Sequence, residues 1–150
     1  MAQVLVYNND EGGVSIVTPV GSISNALKAL PVGISTYSIL EDSNLPSDRN
    51  FRNAWKATGL GNTTVSVGED ITSARELHKA NIRVARTPKL AALDVEFQKA
   101  QETSAGITTI VAKKQALRDA PAAAGIATAA NTTELKAQWD TSILGDSPYS

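Results

Sequence analysis

His78 is the first residue to weigh for chemistry, because the 150-residue chain has one histidine and no cysteine. General acid–base catalysis needs an imidazole with an orienting partner and a reacting group beside it. On a helix, the neighbours of His78 are Ala74, Arg75, Asn81 and Ile82, none of them a carboxylate. That pattern favours a packed or solvated histidine over a base. With no thiolate and one imidazole, any metal would rest on carboxylates alone, and no stretch has the dense D-x-D spacing of a calcium loop. The glycine pairs in Glu11-Gly12-Gly13 and Gly59-Leu60-Gly61 do not continue into a phosphate-binding or dinucleotide fingerprint, and read as turns. The sequence therefore nominates no catalytic residue, no cofactor-binding residue and no metal ligand, and points away from an enzyme.

What remains are residues suited to contact. Arg75, Lys79, Arg83 and Arg86 recur every three or four positions, a basic stripe along one helix face. Such a stripe can face phosphate or an acidic protein, or can sit in solvent paired with Asp70 or Glu76. Fourteen Lys and Arg against 15 Asp and Glu leave a net charge of −1, without the positive excess of a general nucleic-acid binder. Phe51 and Trp55 are four apart and read as one side of a helical turn, an anchor beside the charged Asp48-Arg49 and Arg52. Leu135 and Trp139 are also four apart, either a core lid or an anchor for a partner. The candidate partner-binding residues are thus Phe51, Arg52, Trp55, Arg75, Arg83, Arg86, Leu135 and Trp139.

The elements that must position them predict an α+β fold. Gln3–Tyr7 and Val14–Val17 are β-branched runs around NNDEGG, a hairpin signal. Ser22 or Ser24 can cap a short helix with Ile23, Leu27 and Leu30 on one face, and Ile34–Leu40 alternates as a third strand. Residues 1–58 therefore read as a small ββαβ sheet unit. Residues 59–69 read as a linker or edge strand, with Lys56–Gly61 flexible and Thr63–Val67 as the strand. The sheet edges at 3–7 and 63–67 are expected to be open to strand addition. Residues 70–120 read as an antiparallel helical hairpin. Leu90, Leu93, Phe97 and Ala100 form one stripe, Ile107, Ile110 and Leu117 the other, and Glu102–Gly106 the joint. Pro88 predicts a break or kink near Arg86–Pro88. Residues 121–150 read as a loop (AAAGIATAAN), a short helix (TTELKAQWD) and a tail (SPYS), with Ile143 and Leu144 tucking back.

Composition bounds the rest. Hydrophobic residues make up 42% but aromatics only 5%, and alanine buries little area per side chain. A core this lean predicts that a partner or further copies of the chain cover part of its apolar surface, hence a homo-oligomer. Ordered ends at Met1 and Ser150 would suit a chain held by neighbours, since free termini fray. The N-terminus has no basic and apolar segments of a signal peptide, and no run approaches the roughly 20 apolar residues of a membrane helix. No membrane partner is expected. Lack of cysteine fits a reducing compartment or a particle assembled in one.

Leu45-Pro46-Ser47-Asp48-Arg49-Asn50-Phe51-Arg52-Asn53-Ala54-Trp55 resembles a motif of a family of small tailed-bacteriophage proteins. So do DITSARELHKANIRVAR, PKLAALDVEF, VAKKQALRDAP and NTTELKAQW, in that order, over residues 30–140. Members are mostly uncharacterised and often encoded among virion and tail genes, and the helical half resembles tail-fibre assembly proteins. The resemblance brings no active site. It implies a virion structural protein, a multi-copy tail adaptor or fibre-associated subunit whose partners are other virion proteins. Its location would be the virion, after assembly in the host cytoplasm. The alternative is a tail-fibre chaperone that leaves before the particle is complete. A nucleic-acid-binding regulator acting through the basic stripe, and an enzyme, are the remaining readings.

Overall fold

The computed structural model describes residues 2–149; Met1 and Ser150, with the expectation about ordered ends, lie outside them. The chain divides into two compact units, Met1–Ala74 and Arg75–Ser150. The fold is α+β, with small antiparallel sheets first, then a 32-residue helix and shorter helices.

Unit 1 begins with β1 (Gln3–Asn8) and β2 (Val14–Val17), joined by a loop in which the Asn9 side-chain oxygen accepts the Glu11 and Gly13 amides. Helix α1 (Ile23–Lys28) follows, then β3 (Ser38–Glu41). The strand order β2-β1-β3 puts β1 in the centre. Residues 3–7 are therefore not an open edge, because β1 pairs on both sides; β2 and β3 carry the edges. Val6 lies opposite Ile16 and Ser38, and Val4 opposite Leu40. Strand β3 is shorter than the alternation at 34–40 suggests. Its pairing starts at Ser38, and the Ile34 amide bonds back to Pro31 in a turn.

A second sheet forms from β4 (Trp55–Thr58) and β5 (Ser66–Glu69). Lys56–Thr58 is thus ladder-paired and not a flexible link, and the strand expected at 63–67 sits at 66–69. Period-two alternation explains the pairing: Trp55 and Ala57 face the core, Lys56 and Thr58 outward or half so. The loop between them needs glycine at position 59, where φ is +77° and a Cβ would meet the Thr64 carbonyl oxygen at 2.6 Å. Phe51 and Trp55 do not share a helical turn. A three-residue 3-10 turn, Arg52–Ala54, separates them, and Trp55 opens β4.

Val4, Val6, Leu40, Leu45, Trp55 and Val67 form the core between the two sheets. Leu5 points to the opposite face of β1 and is fully buried on the side where α1 packs. Asp70 closes the unit. Its amide donates to the Ala54 carbonyl, and its carboxylate caps α2 by accepting the Ser73 amide at 3.0 Å.

Helix α2 (Ile71–Glu102) runs through Pro88 unbroken, so of the break or kink expected there the break does not occur. Proline costs one hydrogen bond and crowds the preceding turn, roughly 3 kcal/mol. Its own φ is helical, however, and Pro88 is exposed, so water can reach the Val84 carbonyl that loses its donor. Packing along the rest of a nine-turn helix outweighs that local loss.

In unit 2, α3 (Thr108–Asp119) lies antiparallel to α2, as the two stripes predict. Arg86 reaches the Leu117 and Arg118 carbonyls at one end. Further along, Lys114 pairs with Asp94 at 2.6 Å and sits 5.0 Å over the Phe97 ring. Leu93, Ala100 and Leu117 are buried, while Leu90, Phe97, Ile107 and Ile110 are half-buried. The joint turns through Ser104 at φ 59° and an Ala105-to-Ala100 backbone bond.

The segment expected as a loop is instead partly helical. A 3-10 turn at Ala120–Ala122 leads into α4 (Ala124–Thr128), whose Ile126 is 1% exposed. One branched side chain was enough to give the alanine run a buried face. Then come α5 (Thr132–Lys136), whose N-cap Asn131 accepts the Glu134 amide while the Glu134 carboxylate accepts that of Ala130, and α6 (Thr141–Leu144), capped by Asp140. Leu144 is buried, and α6 packs on α3 as the tucking-back of Ile143 and Leu144 requires. Among the described residues no helix is long and apolar enough to cross a membrane.

Candidate interaction surfaces

A concave surface of unit 2 lies where α2, α3 and α6 meet. Leu93 and Leu117 form its floor, and Ala92, Ala116 and Ile143 its walls. Lys89, Lys113 and Glu96 stand at the rim of a groove of about 350 Å³. The sequence builds it simply. Alanines at 92 and 116 leave room that leucine would fill, and α6 approaches only at one end. Such a site offers apolar contact inside and charge at the margin, the anatomy of a protein–protein contact. On unit 1, a cavity of about 500 Å³ lies beside the outer edge of β3, lined among others by Tyr37, Ile39, Glu41 and Thr63.

His78 stands apart from both. It is fully buried, stacked on Tyr149 at 5.6 Å between ring centres and edge-on to Trp139 at 6.1 Å. Its Nδ1 lies 2.6 Å from the Tyr149 phenol oxygen, which also accepts from Asn81 Nδ2 at 3.2 Å. Nδ1 and the phenol share this one hydrogen bond, and the ring tautomer decides which of them donates. Nε2 is buried without a hydrogen-bond partner among the described residues. Burial pushes the imidazole pKa down and the phenol pKa up, so both rings are neutral near pH 7. The expected SPYS tail therefore ends in a docked aromatic ring.

The stripe Arg75, Lys79, Arg83, Arg86 divides by role. Arg75 donates to the Ala129 carbonyl and Arg86 to those of Leu117 and Arg118, where guanidinium groups satisfy carbonyls at and near helix ends. Lys79 pairs with Glu76, three residues earlier. That bond holds the Glu76 carboxyl below its usual range, with a smaller contribution from the Arg83 charge. Arg83 alone of the four is exposed, the others being half-buried. Asp70 pairs with Lys56 and not with the stripe. Its bonds from Ser73, then that from Lys56, bring its pKa down to about 2.

The remaining sequence candidates fall mostly inside. Phe51, Trp55 and Leu135 are fully buried, and Trp139 is 8% exposed with its indole N–H donated to the Gly145 carbonyl. Their size serves packing; Leu135 and Trp139 are a core lid. Arg52 is exposed, next to Arg49, whose guanidinium lies 6.0 Å over the Trp55 ring and pairs with Asp42. The groove side chains Lys89, Lys113 and Glu96, and the ring partner Tyr149, carried no spacing signal in sequence. Among the described residues no group of three His, Asp or Glu is placed to hold a metal ion. In comparison with known proteins, no family model matches the chain, and neither a curated protein nor a solved structure is found to be similar.

Proposed function

We propose that the chain is a structural subunit of a tailed-bacteriophage particle, a small multi-copy tail adaptor or fibre-associated protein that works by contact with other virion proteins. The observation that carries this reading is the α2–α3–α6 groove, with Leu93 and Leu117 at its floor and Lys89, Lys113 and Glu96 at its rim. A groove of that make suits an apolar anchor from a neighbouring protein, flanked by side chains that pair with the rim. The ordered run of phage-like motifs between residues 30 and 140 supports the setting. Mass spectrometry of purified particles tests it: the protein should be present at a fixed stoichiometry with tail components. Its presence in infected-cell lysate but not in particles would overturn the reading. Loss of folded fibre on deletion, in that case, would identify a transient chaperone.

A further inference from the structure

Helix α2 is apolar on two opposite faces, and the groove uses only one. Leu93 and Ala100 are buried on the side that meets α3. At about 100° per residue, Val84, Pro88, Ala91 and Val95 fall on the side about 180° from Leu93. All four are exposed, Val84 at 75% and Val95 at 50%. A lone exposed valine is ordinary. Here the spacings of four, three and four make a continuous strip about 17 Å long on an unbroken stretch of helix.

Charge beside the strip says what fits it. Arg83 and Asp94 lie along the same flank, near its two ends. The Arg83 guanidinium makes no hydrogen bond or ion pair among the described residues. Asp94 binds Lys114 through Oδ1 alone, and its side chain is 59% exposed. We propose that this face binds a second copy of the chain, helix α2 against helix α2 in antiparallel, about a twofold axis between Pro88 and Ala91. Placing Val84 beside Val95 of the second copy brings Pro88 beside Ala91. Arg83 then stands within about 3 Å of level with Asp94 of the second copy, and the twofold makes that pair twice. A parallel twofold would place the Arg83 and Asp94 flanks of the two copies on opposite sides of the interface, so neither charge would find its complement. Proline and alanine at the centre let the two backbones come close. One helix face is a small interface, so the dimer should dissociate in the micromolar range.

The groove and the phage setting are not needed for this inference, and the test uses the purified chain alone. Sedimentation equilibrium should show a monomer–dimer equilibrium that Val84→Glu abolishes, while the melting curve taken at concentrations where the chain is monomeric stays unchanged. Arg83→Glu should weaken association roughly tenfold through two lost charge pairs. The chain has no cysteine of its own, so Val84→Cys and Val95→Cys report register directly. Oxidising a mixture of the two should cross-link one variant to the other. Neither should cross-link to itself, since like positions lie about 16 Å apart along the axis. A monomer at every concentration, a dimer indifferent to Val84→Glu or Arg83→Glu, or Val84→Cys bonded to itself would each overturn the proposal. Absence from phage particles would leave the dimer measurement untouched.

Discussion

Nδ1 of His78 and the phenol oxygen of Tyr149 lie 2.6 Å apart, on rings stacked 18° from parallel, although 71 residues separate them in the chain. The contact joins the first turns of α2 to the last described residue. It consists of a hydrogen bond between two neutral rings, with Asn81 supplying the second bond to the phenol.

Protonating His78 should loosen this arrangement. The groups facing the ring are Tyr149, Trp139 and Asn81, with no carboxylate among them to favour the cation. Burial lowers the folded pKa below its ordinary value of 6.5, so the unfolded chain takes up a proton that the folded chain resists. Stability from this site is complete above pH 6.5 and is lost as pH falls from 6.5 towards the lowered folded value. The slope in that window is at most about 1.4 kcal/mol per pH unit. Urea unfolding between pH 7 and pH 5 should show it, and His78→Gln should flatten the curve. An equal slope in the variant would assign the effect elsewhere.

Tyr149→Phe keeps the ring stack but leaves His78 and Asn81 without their common partner. A loss of about 1–2 kcal/mol is expected. Tyr149→Ala removes the stack as well and should cost about 2–4 kcal/mol. Amide exchange near residues 139–148 would accelerate in the alanine variant more than in the phenylalanine one.

Pro88→Ala should stabilise the protein. It restores the amide that Val84's carbonyl lacks and relieves the crowding in the preceding turn, a gain of about 1–3 kcal/mol. Thermal unfolding measures this, and an unchanged or lower melting temperature would mean that α2 is already adapted around the proline.

The contact candidates should separate by size of effect. Phe51→Ala and Leu135→Ala each empty a fully buried site and should cost about 2–5 kcal/mol. Arg52→Ala and Arg83→Ala, both exposed, should change monomer stability by less than about 0.5 kcal/mol. A large destabilisation from either arginine would place it in the packing.

Local pattern carried the hairpin at residues 3–17 and the two helical stripes around Leu93 and Leu117 into plain view in the sequence. Period and turn chemistry act within a few residues and are readable there. Strand order is not, since β3 reaches β1 from more than 30 residues away and turns an assumed edge into a centre. At Pro88 the helix does not break, for the opposite reason: a local penalty is overruled by packing summed over a long helix. Phe51, Trp55, Leu135 and Trp139 show the limit for sites, because an aromatic or branched residue carries the same letter whether it faces a partner or the interior. Tyr149 was invisible, as nothing near it in sequence signals a distant histidine.

The middle strand of unit 1 has a mechanical consequence. Neighbours bond to β1 along both sides, while Val4 and Val6 are sealed from beneath and Leu5 from above. Pulling it out would break every ladder of the three-stranded sheet and open two apolar layers together, so it behaves as a keel whose removal scuttles the unit in one cooperative event.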